Sequence, residues 1–133
     1  MIVDSSALIA VLQGERHAER IVEVLASADA PAISAATLVE VSVVADASGD
    51  PVRSARFDEL VEAIGLEVVP LTVAQAAIAR RAYRDYGRGS GHPARLTLGD
   101  CFSYALAKER REPLLFVGDD FSRTDLKPAL TDD

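Results

Sequence analysis

The sequence holds a single cysteine, Cys101, which excludes an intramolecular disulfide. It holds two histidines, His17 and His92, so a zinc site of thiolate and imidazole ligands is hard to assemble. Any metal would have to be held by oxygen ligands, which suits Mg²⁺ or Mn²⁺. No apolar run is long enough to span a bilayer, and no basic segment precedes the apolar start. Neither a membrane association nor a secretory signal is therefore expected, and the reading is a cytoplasmic protein with an intact N-terminus. Positive charge is also lacking. The net charge of −7 argues against nucleic-acid binding through a general basic surface. No repeat, low-complexity tract or linker divides the 133 residues, which predicts one domain over 1–133.

Hydrophobic residues make up 49%, enough for a substantial core, and charged residues at 26% match a soluble surface. Ile2-Val3, Pro31-Ala32-Ile33, Leu66 to Val69 and Leu114 to Val117 read as short apolar strands. Between them lie segments of helical periodicity: Ser5 to Leu12, Glu15 to Ala28, Ala35 to Ala47, a helix opened by Asp50-Pro51 and closed by Gly65, Thr72 to Tyr86, and Leu98 to Arg110. A turn with a short helix follows Asp119. Strands alternating with helices predict an α/β fold with a buried parallel sheet and helices on both faces. In such sheets, sites form at the carboxyl ends of the strands.

The acids fall at those ends. Asp4 interrupts the apolar start "MIVDSSALIAVL", where a carboxylate is costly unless it caps a helix or holds a cation. Asp119 and Asp120 follow the fourth strand and also suit an ordinary turn. Asp100 begins a helix, three residues after Thr97, at capping-box spacing. Glu40 is the only charge in "AATLVEVSVVA". A helix so apolar is expected to be buried on most sides, and its Glu to need a partner. An arginine would serve, but if these acids meet at one sheet edge, a divalent cation would relieve their mutual repulsion.

The residues resemble the PIN-domain ribonucleases and, within them, the VapC toxins of bacterial toxin–antitoxin pairs. The likeness lies in "MIVDSSALIAVL", "SAATLVEVSVV", "GSGHPARLTLGDCFSYALAKE" and "PLLFVGDDFSRTDL", spread along the whole chain in the family's order. The resemblance implies a small three-layer α/β/α sandwich with a short, mostly parallel sheet. It also implies an acidic cluster binding Mg²⁺ or Mn²⁺, the number of ions being open. Asp4, Glu40 and Asp100 match the three main acids. The fourth lies in "GDDF", where Asp119 is favoured and Asp120 competes. Ser6 matches a position that supports the site by hydrogen bonding.

The implied activity is metal-dependent cleavage of RNA phosphodiester bonds that leaves a 5′-phosphate and a 3′-hydroxyl, inhibiting translation and growth. The implied partners are an RNA substrate, a VapB-type antitoxin whose C-terminal segment blocks the site, and a second copy in a homodimer. The antitoxin's blocking group is expected to be an arginine set against the carboxylates. Helices Ser5 to Leu12 and Ala35 to Ala47 are candidates for these protein contacts. Arg80, Arg81, Arg84, Arg88, His92 and Arg95 offer a local basic rim for phosphates, with a Gly-rich loop expected to move. Tyr83, Tyr86 and Cys101 read as core packing, and His17 as surface.

Three other readings compete. A phosphatase with an aspartyl nucleophile at Asp4 would want an acid two residues on, where Ser6 stands. A phospho-accepting signalling domain would want a lysine after a late strand, and "FVGDDF" supplies none. A binding module that kept the fold without the chemistry is the remaining class, and retention of all these acids argues against it.

Overall fold

A computed structural model describes residues 1–130, and the last three residues of the expected domain lie outside the described ones. The elements in chain order are β1 (Ile2–Val3), α1 (Ser5–Leu12), α2 (Ala18–Ser27), β2 (Ala32–Ser34), α3 (Ala35–Asp46), α4 (Pro51–Ile64), β3 (Glu67–Val69), α5 (Val73–Tyr86), α6 (Leu98–Arg110) and β4 (Leu114–Leu115). A 3-10 turn, Phe121–Arg123, follows β4. The strands form one sheet in the order β3-β2-β1-β4, parallel at every pairing.

Successive residues of β1, β2 and β4 point to opposite faces. Ile2, Ala32 and Leu114 enter a core shared with α5 and α6; Val3, Ile33 and Leu115 enter a second core shared with α1 to α4. The sheet is thus covered on both faces, and the architecture is the expected α/β/α sandwich. Among the described residues, no helix is long and apolar enough to cross a membrane.

Three local differences from the sequence reading have clear causes. Helix α2 starts at Ala18 rather than Glu15, because Gly14 turns left-handed after α1 and a turn closes from Glu15 to Ala18. Strand β4 stops at Leu115 rather than Val117, because the Val117 N–H donates to Ser6 Oγ instead of to a neighbouring strand. Strand β3 is not wholly apolar and buried. It is an edge strand, with Glu67 and Val68 exposed, and Glu67 binds Arg110 through two hydrogen bonds of 3.0 Å. A charge there blunts an otherwise open edge.

The cap signals hold in detail. Asp50 accepts from the Val52 N–H at the start of α4, with Pro51 at its first position, and Gly65 closes that helix in the left-handed region. Thr72 accepts from the Gln75 N–H, but the Gln75 amide turns away to Glu109, so only half of the expected capping box forms.

Candidate active site

Parallel strands bring the carboxyl ends of β1, β2 and β4 to one edge, and the acids gather there. Asp4 leaves β1, and its backbone N–H is tied to the Leu115 carbonyl at the end of β4, 3.0 Å away. It is only 2% exposed. Its Oδ2 caps α1, accepting from the Ser6 N–H at 3.1 Å and the Ser6 hydroxyl at 2.7 Å. Its Oδ1 accepts from the Ser103 hydroxyl at 2.6 Å. A carboxylate has about four acceptor positions, so these three donors leave one on Oδ1. Capping a helix and holding a cation are therefore compatible roles for Asp4.

Each supporting hydroxyl is itself held. Ser6 Oγ accepts from the Val117 N–H at 3.0 Å. Ser103 spends its single proton on Asp4, so the Thr37 hydroxyl, 3.2 Å away, must be the donor between the two. Thr37 and Ser103 are fully buried. The relay Thr37–Ser103–Asp4 joins α3, α6 and β1 at the site, and sequence reasoning missed it. Its signal was a hydroxyl residue three positions from an acid on the same helix, Thr37 before Glu40 and Ser103 after Asp100.

Asp100 completes the capping box that its spacing suggested. Its Oδ2 accepts from the Thr97 N–H at 2.9 Å, and Thr97 Oγ1 accepts from the Asp100 N–H at 3.2 Å. Burial raises its pKa, and the charges of Asp4 and Asp120 add to the rise, against the hydrogen bond from Thr97. Burial also raises Glu40, with Asp4 and Asp100 adding repulsion. These mutual effects place Asp4, Glu40, Asp100 and Asp120 in one electrostatic cluster.

Glu40 nevertheless corrects one expectation. Helix α3 is not buried on most sides, since Val39 and Val43 are 63% and 64% exposed and Glu40 is exposed beside them. Its carboxylate lies against Gly99 in the first turn of α6, where an added Cβ would stand 1.9 Å from Oε2. Gly99 therefore leaves room for Glu40 at this edge, a role that its sequence position did not reveal. Asp119 and Asp120 are both exposed. Asp120 is the one whose charge acts on Asp100, whereas Asp119 lines an adjoining cavity.

Among the described residues, no three acidic, histidine or cysteine side chains stand close enough, as placed, to hold an ion jointly. The donor chemistry still suits a hard divalent cation. The donors are all carboxylate oxygens, they repel one another, and Glu40 is exposed enough to reorient. The same repulsion makes a testable cost. Glu40→Gln is expected to stabilise the metal-free protein slightly, by well under about 1 kcal/mol because the side chain is solvent-screened. Glu40 has a folded pKa above its ordinary 4.5. The wild-type penalty is therefore absent below the ordinary value, where both states are protonated, and appears as pH rises through the folded value. Urea unfolding in EDTA at pH 4 and pH 7 should show the gain only at the higher pH.

The basic rim is accessible. Arg80, Arg81, Arg84, Arg88 and Arg95 are exposed, with Arg84 paired to Asp85 at 3.0 Å. His92 is placed differently. Its Nδ1 accepts from the Ala94 N–H and its ring meets Tyr86 edge-on, so it is a half-buried strut of the loop. The loop is tied back at two points. Gly87 and Leu96 form a bridge, and the Ser90 hydroxyl donates to the Gly87 carbonyl at 2.7 Å. Tyr86 packs on the core as expected, while Tyr83 stays 41% exposed. Cys101 is buried, and burial with the neighbouring Asp100 charge pushes its thiol up to about 12, which fits packing. His17 is half-buried and lines the same cavity as Asp119.

The sequence matches the PIN-domain family over residues 1–127. Ribonuclease VapC28 of Mycobacterium tuberculosis is 52% identical over 130 residues, 98% of each chain. Ribonuclease VapC42 of the same species is 47% identical over 131 residues, 98% of this chain and 100% of that one. Among solved structures, VapC20 of M. tuberculosis, described as a sarcin–ricin loop cleaving toxin, aligns with a TM-score of 0.71. It is 16% identical and covers 94% of this chain and 95% of that one. A toxin–antitoxin complex from Klebsiella pneumoniae aligns with a TM-score of 0.69 at 23% identity, covering 91% of this chain and 89% of that one.

Proposed function

Since the chain belongs to the PIN-domain family and, within it, to the VapC ribonucleases, we propose that it is a Mg²⁺- or Mn²⁺-dependent endoribonuclease, the toxin of a toxin–antitoxin pair. The observation that carries this reading is Asp4. It is a buried carboxylate at the tip of a central strand, oriented by three donors, and its charge acts on both Glu40 and Asp100. A fold support alone would not need that accumulation of like charge, which costs stability.

Asp4 and Asp100 would hold the cation, each having spent part of its acceptor capacity on a cap that fixes its position. When bound, a divalent cation supplies an acidified water and neutralises charge on the phosphate oxygens. Glu40 would complete the ligand set or orient the attacking water. The acid after β4, Asp119 or Asp120, would do the same, and the effect of the Asp120 charge on Asp100 favours Asp120. Ser6 and Ser103 hold Asp4 in one orientation throughout, so little reorganisation is needed as charge develops. No side-chain nucleophile is required.

The arginines of α5 and its following loop would guide phosphates to an otherwise acidic protein. The double variant Arg84→Ala/Arg88→Ala is expected to weaken RNA binding similarly for all sequences. Removing one phosphate-binding arginine should flatten the plot of log K against log salt by about 0.7 for a single strand. Filter binding of an oligoribonucleotide across a salt series checks this. The exposed Val39 and Val43 on α3 support a protein contact there, in the homodimer or with the antitoxin.

The test of the activity is incubation of total RNA with the purified chain in Mg²⁺ or in EDTA, followed by sequencing of 5′-phosphate ends. Discrete ends that require Mg²⁺ are the expected result. Absence of cleavage by folded protein in both conditions would refute the reading.

A further inference from the structure

Beside the acidic cluster lies a cavity of about 490 Å³ whose walls include His17, Phe116, Val117, Asp119, Ser122 and Leu130. None of Asp4, Glu40, Asp100 and Asp120 lines it, but its wall is tied to Asp4 through two hydrogen bonds. The Val117 N–H binds Ser6 Oγ, which in turn binds Asp4, and Asp119 precedes the acid that acts on Asp100. Within the proposed ribonuclease, whatever enters this cavity sits next to the cleaved bond.

The lining narrows the choice of occupant. A phosphate is disfavoured by the Asp119 carboxylate. A purely apolar group would displace water from the exposed Asp119 carboxylate and return no hydrogen bond to it. Phe116 is half-buried, and its ring is backed by Phe121 with centroids 5.3 Å apart, which gives a fixed aromatic surface. Ser122 donates its proton to the Asp119 carbonyl at 2.6 Å, so its oxygen faces outward only as an acceptor. The cavity thus pairs an aromatic platform with acceptors. A planar heteroaromatic group bearing several N–H donors fits it, and unpaired RNA bases are read in this way, by stacking and by their polar edges.

We propose that this cavity receives an unpaired base flanking the cut, and that it favours guanine over uracil. Guanine offers a ring N–H and an adjacent amino group, which a carboxylate can accept together. Uracil offers one N–H between two carbonyl oxygens, which would face the Asp119 carboxylate. The basic rim reaches the acids through the loop that feeds α6, whereas His17 comes from the α1–α2 connection. In the proposed path, RNA runs from the rim over the acids to the cavity.

Two measurements test this, and they separate it from the ribonuclease reading on which it rests. In the first, guanosine and uridine are titrated into the ¹⁵N-labelled protein without metal. Guanosine should shift the amides of His17, Val117, Asp119 and Ser122, with uridine about tenfold weaker or more. Equal shifts from both nucleosides, or none from either, would overturn the proposal whatever the activity. In the second, 5′ ends are sequenced after cleavage by wild type, Ser122→Ala and Phe116→Leu. Phe116→Leu keeps an apolar side chain against Phe121 but removes the stacking surface. Both variants should keep Mg²⁺-dependent cleavage, and their guanine preference beside the cut should fall about fivefold or more. Cleavage with an unchanged preference would overturn the base site while leaving the nuclease intact. If wild type cleaves nothing, the nuclease reading fails and the nucleoside titration alone decides what the cavity binds.

Discussion

Asp4→Asn should abolish RNA cleavage, on the order of a thousandfold or more, while the protein stays folded. The size follows from removing a central charge from a cation site, about 4 kcal/mol of lost transition-state stabilisation. Retention of the fold follows from the hydrogen bonds. Asparagine is as good an N-cap as aspartate. Its carbonyl oxygen can take the Oδ2 position and keep both bonds from Ser6. Its amide then stands at the Oδ1 position and donates to Ser103. The Ser103 hydroxyl, released from donating to Asp4, turns to donate to Thr37 instead. Each of these groups keeps a partner, but the Thr37 proton gives up its acceptor, a cost of about 1 kcal/mol. Circular dichroism should therefore match wild type and urea unfolding should weaken by no more than that, whereas a large loss of stability would show that Asp4 is mainly a structural cap.

Ser103→Ala should have the opposite balance. It leaves Asp4 Oδ1 without its donor and the Thr37 hydroxyl without its acceptor, both out of water. A buried polar group stripped of its partner costs about 1–3 kcal/mol, which in a chain of this length lowers Tm by several degrees. Thr37→Val should cost less, because Ser103 then keeps its bond to Asp4. Ser103 is a positioning residue in this account, so its effect must extend beyond stability. At a temperature where the variant is fully folded, it should need more Mg²⁺ for half-maximal cleavage than wild type, and Thr37→Val should fall between them. An unchanged Mg²⁺ requirement would confine Ser103 to a structural role.

Much of the frame was legible because its signals are local. Strand–helix alternation, the Asp50-Pro51 and Thr97–Asp100 caps and the Gly65 stop each depend on a few adjacent residues. The acids could be placed at one edge because parallel topology alone sends strand ends there. What was not legible depends on packing between distant elements. Ser103 and Thr37 went unread in the sequence, because only packing sets them against each other and against Asp4, ninety-nine residues before Ser103. Hydrophobicity along α3 was read as burial, yet a protein can leave valines exposed, and Val39 and Val43 are. The glycines of the 87–95 loop gave no hint of the hydrogen bonds by which Ser90 and His92 tie it back. The last acid turns on the backbone path after β4. There Gly118 is left-handed and the Val117 N–H is diverted to Ser6, a path that the adjacent pair Asp119-Asp120 does not announce.

The central claim is that the carboxylates at this edge hold a divalent cation, and it can be measured without any RNA. Mn²⁺ would be titrated into the metal-free wild type and into Asp4→Asn and Asp100→Asn, with free Mn²⁺ followed by electron paramagnetic resonance. Saturable binding by wild type that is lost or at least tenfold weaker in both variants is the predicted result. Equal binding by all three folded proteins, or none by wild type, would contradict it and leave Asp4 and Asp100 as helix caps alone.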